Sequence, residues 1–189
     1  YKRYNNYVIF ETSYAHLVEG RNLYDYHPDH HYDLYKYSPA FSVFFGIFYA
    51  MPDWLGLSLW NIPNALILLM AVYYLPRFNS YQKGLILLIS VVELMTSLQN
   101  NQSNGLMVGL MLLSFGFMER DKPLWGTLMM VVSVYVKLFS LVGFVLFLFY
   151  PKKWKTSLYS VFWTAVIFAI PMLFVPWEQY HYLLCSYFN

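Results

Sequence analysis

Two ionisable side chains stand inside otherwise apolar runs: Glu93 within residues 84–98 and Lys137 within residues 124–150. An ammonium in hydrocarbon costs about 2.5–3.5 kcal/mol on insertion scales, so a lysine is seldom kept there without a partner. It can snorkel to the interface, meet a neutralising carboxylate, or offer a point charge to a lipid phosphate. Glu93 is then either that carboxylate or a proton acceptor. Between the two, Gln99-Asn100-Asn101-Gln102-Ser103-Asn104 sets five amides in six positions. Amides donate and accept without charge, which suits sugar hydroxyls or a phosphate, and also suits the plain task of capping helix ends.

A second polar group precedes the apolar runs. His27, His30 and His31 with Asp29 and Asp33 raise the question of a metal. Neighbouring histidines in an extended loop point in opposite directions, and no helical His-x3-His or cysteine pair supports a site, so no metal is expected. Tyr24, Tyr26, Tyr32, Tyr35 and Tyr37 fit an interfacial aromatic belt from which a few rings could stack on a sugar.

The elements that must position these residues follow from composition and pattern. With 59% apolar and 12% charged residues the chain cannot cover a water-soluble surface, and an all-α, polytopic membrane helical bundle is expected. The net charge of +2 sits in short loop clusters, so no nucleic acid is expected as a partner. Cys185 is alone and forms no internal disulfide. Tyr1 is neither Met nor the start of a signal-like segment, so the chain is expected to be a fragment lacking an upstream span and further downstream spans.

Tyr7, Ile9, Phe10, Tyr14, Leu17 and Val18 recur at helical steps with Asn6, Glu11 and Ser13 between, predicting an amphipathic helix stopped by Gly20. A loop to Ser38 follows. Residues 39–51 are too few for a comfortable crossing and are expected to be re-entrant. Residues 54–75, 84–98, 105–118 and 157–175 are expected passes, with Asn61, Pro63 and Asn64 forming a kink answered by amides. Residues 124–150 form either one oblique helix or two short passes meeting at Lys137. Only two passes keep Arg77, Lys83, Lys152, Lys153 and Lys155 on one side of a membrane. The expected organisation is an extracytoplasmic helix and loop at 1–38, a transmembrane region at 39–175 and an extracytoplasmic tail at 176–189. The polar residues then converge on the extracytoplasmic side.

The order of these features resembles the polyprenol-phosphate-dependent membrane glycosyltransferases of family 87, of GT-C type and related to bacterial mannosyltransferases of lipid glycans. The residues that carry the likeness are Gly20-Arg21-Asn22-Leu23-Tyr24 after the first helix, Tyr35-Lys36-Tyr37-Ser38-Pro39 at the membrane, Gln102-Ser103-Asn104, and Val136-Lys137-Leu138. The resemblance implies an inverting transfer of a hexose, mannose first, from a polyprenyl-phosphate-sugar donor to a lipid or glycan acceptor. It places that activity at a bacterial plasma membrane, among membrane lipids, on the extracytoplasmic face. Lys137 would balance the departing phosphate, Gln102 and Asn104 would hold phosphate or sugar, and Tyr35, Lys36 and Tyr37 would line the acceptor entrance. No cofactor or metal is implied. The resemblance puts the family's catalytic Asp at Asn6, and an amide is no base, so either Glu11, Asp33 or Glu93 replaces it, or this branch uses another arrangement, or the protein is not an orthodox catalyst. Two other classes fit the same residues: a secondary transporter, which needs its polar groups at mid-bilayer, and a non-catalytic lipid-binding subunit.

Overall fold

The computed structural model describes residues 4–188; residues 1–3 and 189, the outermost ends of the expected first and last segments, lie outside the described residues. Every regular element among the described residues is helical, as a backbone in hydrocarbon requires. The elements are α1 (Asn5–Val18), α2 (Pro39–Tyr49), α3 (Asp53–Tyr74), α4 (Ser80–Gln99), α5 (Asn104–Glu119) and α6 (Pro123–Val136). After these come a 3-10 arm (Leu138–Phe149), α7 (Lys153–Ala169), a short 3-10 turn (Ile170–Leu173) and α8 (Trp177–Phe188). Three segments are long and apolar enough to cross a membrane: Asp53–Tyr74, Ser80–Gln99 and Lys153–Leu173.

The first helix stops where the sequence predicts. Gly20 takes φ +76°, Arg21 N–H donates to the His16 carbonyl at 2.9 Å and Gly20 N–H to that of Leu17 at 3.3 Å, which is a Schellman ending. The helix is less one-sided than its pattern predicts. Ser13 is buried and donates to the Phe10 carbonyl, His16 is buried, and Val18 is exposed. The reason is that α1 is covered twice, by α2 through Phe10, Phe41 and Phe45, and by the histidines of the following loop.

α3 and α5 run side by side in the same direction. Gly105 lies against the Asn64 carbonyl, Gly109 against the Leu68 amide and Gly116 against Tyr74, so the absent side chains let two backbones approach. α4 runs back in the opposite direction beside them, opened by Asn79 and Gln82 in a capping box. The stretch after α5 is two arms. α6 ends at Lys137, which is extended at φ −149° and ψ 117°, and the 3-10 arm folds back along α6. Gly143 meets Met130, and Phe147 meets Met118 near the start of α6. The apex at Lys137 expected from the basic turns is present.

The bundle therefore has two unlike ends. At one lie the turns with Arg77 on Glu119, Arg120 on the Tyr74 carbonyl and Lys152 on Asp121. At the other lie α1, its loop, the amide turn after α4, the Lys137 apex and α8. Both ends of α2 belong to this polar end. Ser38 caps α2 by accepting from Phe41 N–H and donates its hydroxyl to the Tyr135 carbonyl near the apex. Past α2, Asp53 accepts from Tyr4, one residue before α1, at 2.6 Å. Both ends of residues 39–51 therefore lie at the same end of the bundle.

Candidate active site

The amide turn is built by α4's own ending. Asn101 adopts φ 53°, where an asparagine is tolerated, while Gln102 N–H reaches the Ser97 carbonyl at 2.8 Å and Asn101 N–H that of Leu98 at 3.1 Å. Asn101 is then locked from α3: its carbonyl accepts from Trp60 Nε1 at 3.0 Å and its side-chain oxygen from Asn61 Nδ2 at 2.7 Å. Asn64 helps seat α5. Its Oδ1 accepts from Leu106 N–H at 3.0 Å while its Nδ2 donates to the Trp60 carbonyl, one turn back in the helix that Pro63 interrupts.

This frame divides the amides between two tasks. Asn100 and Asn101 are structural, whereas Gln102 and Asn104 turn toward the charged residues. Lys137 Nζ donates to Asn104 Oδ1 at 2.8 Å. Asn104 Nδ2 donates to Glu93 Oε1 at 3.1 Å and to Gln102 Oε1 at 3.0 Å. Lys137 and Glu93 are thus joined through one amide. Asn104 is also the first residue of α5, so the positive pole of that helix lies at the same place. Around the apex, Ser133 and Ser140 share a 2.7 Å hydrogen bond and Ser133 also donates to the Met107 carbonyl, pinning both arms to α5.

The remaining candidates lie at the same end with different surroundings. Asn6 Nδ2 donates to the Asn100 carbonyl at 2.8 Å, a bond that an ionised carboxylate could not make. Glu11 is half-buried on α1, close enough to the Tyr7 hydroxyl to act on it electrostatically. Asp33 and Lys36 are exposed and paired at 2.9 Å, and that hydrogen bond holds the Asp33 carboxyl below its usual range. Tyr35 is buried, with its hydroxyl donating to the Ser38 carbonyl at 2.9 Å, so it supports the loop from beneath. Tyr37 is half-buried, stacks on Phe41 at 4.9 Å and reaches Ser103 at 3.4 Å; burial pushes its hydroxyl up.

Sequence pattern missed five participants. Ser133 and Ser140 flank Lys137 at −4 and +3, a spacing that could have flagged them. The Tyr4 to Asp53 bond joins distant residues and left no local signal. His16, set in an apolar stripe, stacks on His27 at 4.0 Å and meets His30 and His31 at 5.1 and 6.3 Å. No group of three or more His, Cys, Asp or Glu among the described residues has a geometry that holds a metal.

An apolar bundle with basic turns at one end and Lys137, Glu93 and a run of amides at the other has the build of a membrane protein. The model of glycosyltransferase family 87 matches residues 35–188, and the chain belongs to that family. It is a membrane glycosyltransferase, and the transporter alternative falls away. No curated protein and no solved structure matches the chain.

Proposed function

We propose that the chain transfers a hexose, mannose in the first instance, from a polyprenyl-phosphate donor to a lipid or glycan acceptor on the extracytoplasmic face, in a GT-C type fold. The observation that carries this reading is the Lys137–Asn104–Glu93 chain with Gln102 beside it. Placement of the basic turns at the opposite end supports the orientation, because such turns stay cytoplasmic. Residues 1–38 and 176–189 then form the extracytoplasmic cover, and 39–175 the membrane region.

In this mechanism the sugar phosphate arrives laterally, and its phosphate meets Lys137 and the N-terminus of α5. The acceptor hydroxyl attacks the anomeric carbon from the opposite face. Glu93 takes the proton, the bond to the phosphate oxygen breaks with both electrons leaving on that oxygen, and the anomeric configuration inverts. Lys137 balances the charge that develops. Gln102 and Asn104 orient donor and lysine, while Tyr37 and Lys36 border the acceptor side, with Tyr35 beneath. Glu93 is preferred as base over Asp33, which is tied to Lys36, and over Glu11, because it alone of the three is joined to Lys137 through Asn104 in the hydrogen bonds described above.

The test is sugar transfer from polyprenyl-phosphate-mannose in membranes carrying single substitutions. Lys137→Met and Glu93→Gln are expected to lower transfer by about 100-fold or more, the range for a lost charge clamp or general base. Asp33→Asn is expected to leave it nearly unchanged. Full activity in both Lys137→Met and Glu93→Gln would remove this site.

A further inference from the structure

The loop after α1 carries a second constellation that transfer does not use. His27 to His31 form a single turn, with His30 and His31 N–H groups donating to the His27 carbonyl at 3.0 and 3.1 Å. That turn lies on α1 ring against ring: His16 contacts His27 at 4.0 Å with planes 36° apart, and His27 contacts His31 at 5.9 Å. His16 and His31 are both buried at 2% exposure. His16 Nε2 and His31 Nδ1 have no hydrogen-bond partner. A neutral imidazole tolerates this, but a second proton on either ring would be a buried cation facing other imidazoles.

We propose that His16, His27, His30 and His31 form an acid-released latch that holds the 27–31 turn down on α1. Arg21, held by Glu19 at the end of α1, faces His16 and opposes its protonation; Asp33 faces His31 and favours it. From α8 the nearby contacts are neutral: Gln179 donates to the Leu17 carbonyl, and Asn22 reaches Tyr182. Burial, then the neighbouring histidines, bring the His16 pKa down from 6.5 to about 3, and burial lowers that of His31. A group whose pKa is depressed in the docked state stabilises docking above its free pKa and loses that contribution as pH falls. The window is therefore from about pH 6.5 downward toward 3.

Hydrogen exchange of the whole chain in nanodiscs, corrected for the intrinsic pH dependence, tests the latch through amides of residues 27–33. At pH 5.0, about 1.5 units below the free value, His16 alone is expected to cost about 30-fold in protection relative to pH 7.5. His16→Phe keeps a ring of similar size and is expected to remove most of that loss. His31→Leu, should the first variant not fold, is expected to remove the part of the loss that His31 contributes and so to weaken the pH dependence. Equal protection of the wild-type turn at both pH values would overturn the latch, as would undiminished pH dependence in both variants. Release would also free the loop that leads on to Tyr37 and its contact with Ser103, so transfer is expected to follow the same curve. That consequence rests on the transferase site proposed above, whereas exchange is read without it and separates failure of the latch from failure of the site.

Discussion

Asn104 is the residue on which the candidate site turns, because its amide accepts from Lys137 and donates to Glu93 at once. Asn104→Asp is expected to convert the bridge into a direct Lys137 ion pair and to repel Glu93. Transfer should fall about tenfold or more while thermal unfolding changes little, which an assay beside a melting curve would show. Tyr35→Phe is expected to behave in the opposite way. It removes the donor to the Ser38 carbonyl and so costs about 1–3 kcal/mol of stability, with transfer per folded molecule retained. At Asn101, φ 53° reverses the usual helix ranking: Asn101→Ala should be less stable than Asn101→Gly by about 1 kcal/mol in denaturant unfolding.

At the scale of elements, the same contrast between occupied and open space separates two glycines. A side chain at Gly109 would stand 2.9 Å from the Leu68 amide nitrogen, which is backbone and cannot move aside, whereas Gly84 has nothing within 4 Å. Gly109→Leu is expected to destabilise by about 1–3 kcal/mol, and Gly84→Ala to stabilise by about 0.5–1 kcal/mol, as melting curves of the two proteins would show. Much of this architecture was legible beforehand. Ser38-Pro39 announces the start of α2, Gly20 the end of α1, and the basic turns require a reversal at Lys137. What was not legible has physical reasons. Leu138–Phe149 is apolar at nearly every position, so composition does not distinguish a 3-10 arm from an α-helix. Tyr35 looks like a belt tyrosine until the loop closes over it, and His16 acquires its neighbours only when residues 27–31 return to α1. Asn6 was legible as a missing base, but its bond to the Asn100 carbonyl comes from a contact 94 residues away.

For the whole molecule, the separation of a basic end from a polar end is what makes orientation and function one question. α8 packs beside α1, with Gln179 bonding the Leu17 carbonyl, so the exposed Cys185 reports on the end that holds the candidate site. Lys153, at the start of α7, reports on the other. With the basic turns cytoplasmic, a membrane-impermeant maleimide applied to intact cells is expected to label Cys185. It should label Asp33→Cys equally in a Cys185→Ser background. Lys153→Cys in that background should react only after permeabilisation. Labelling of Cys185 and Asp33→Cys from opposite sides would mean that α2 crosses the membrane, and the apex lysine would lose its roof. Labelling of both only after permeabilisation would leave the site assembled but facing the cytoplasm, where the donor would have to present its phosphate from the other leaflet.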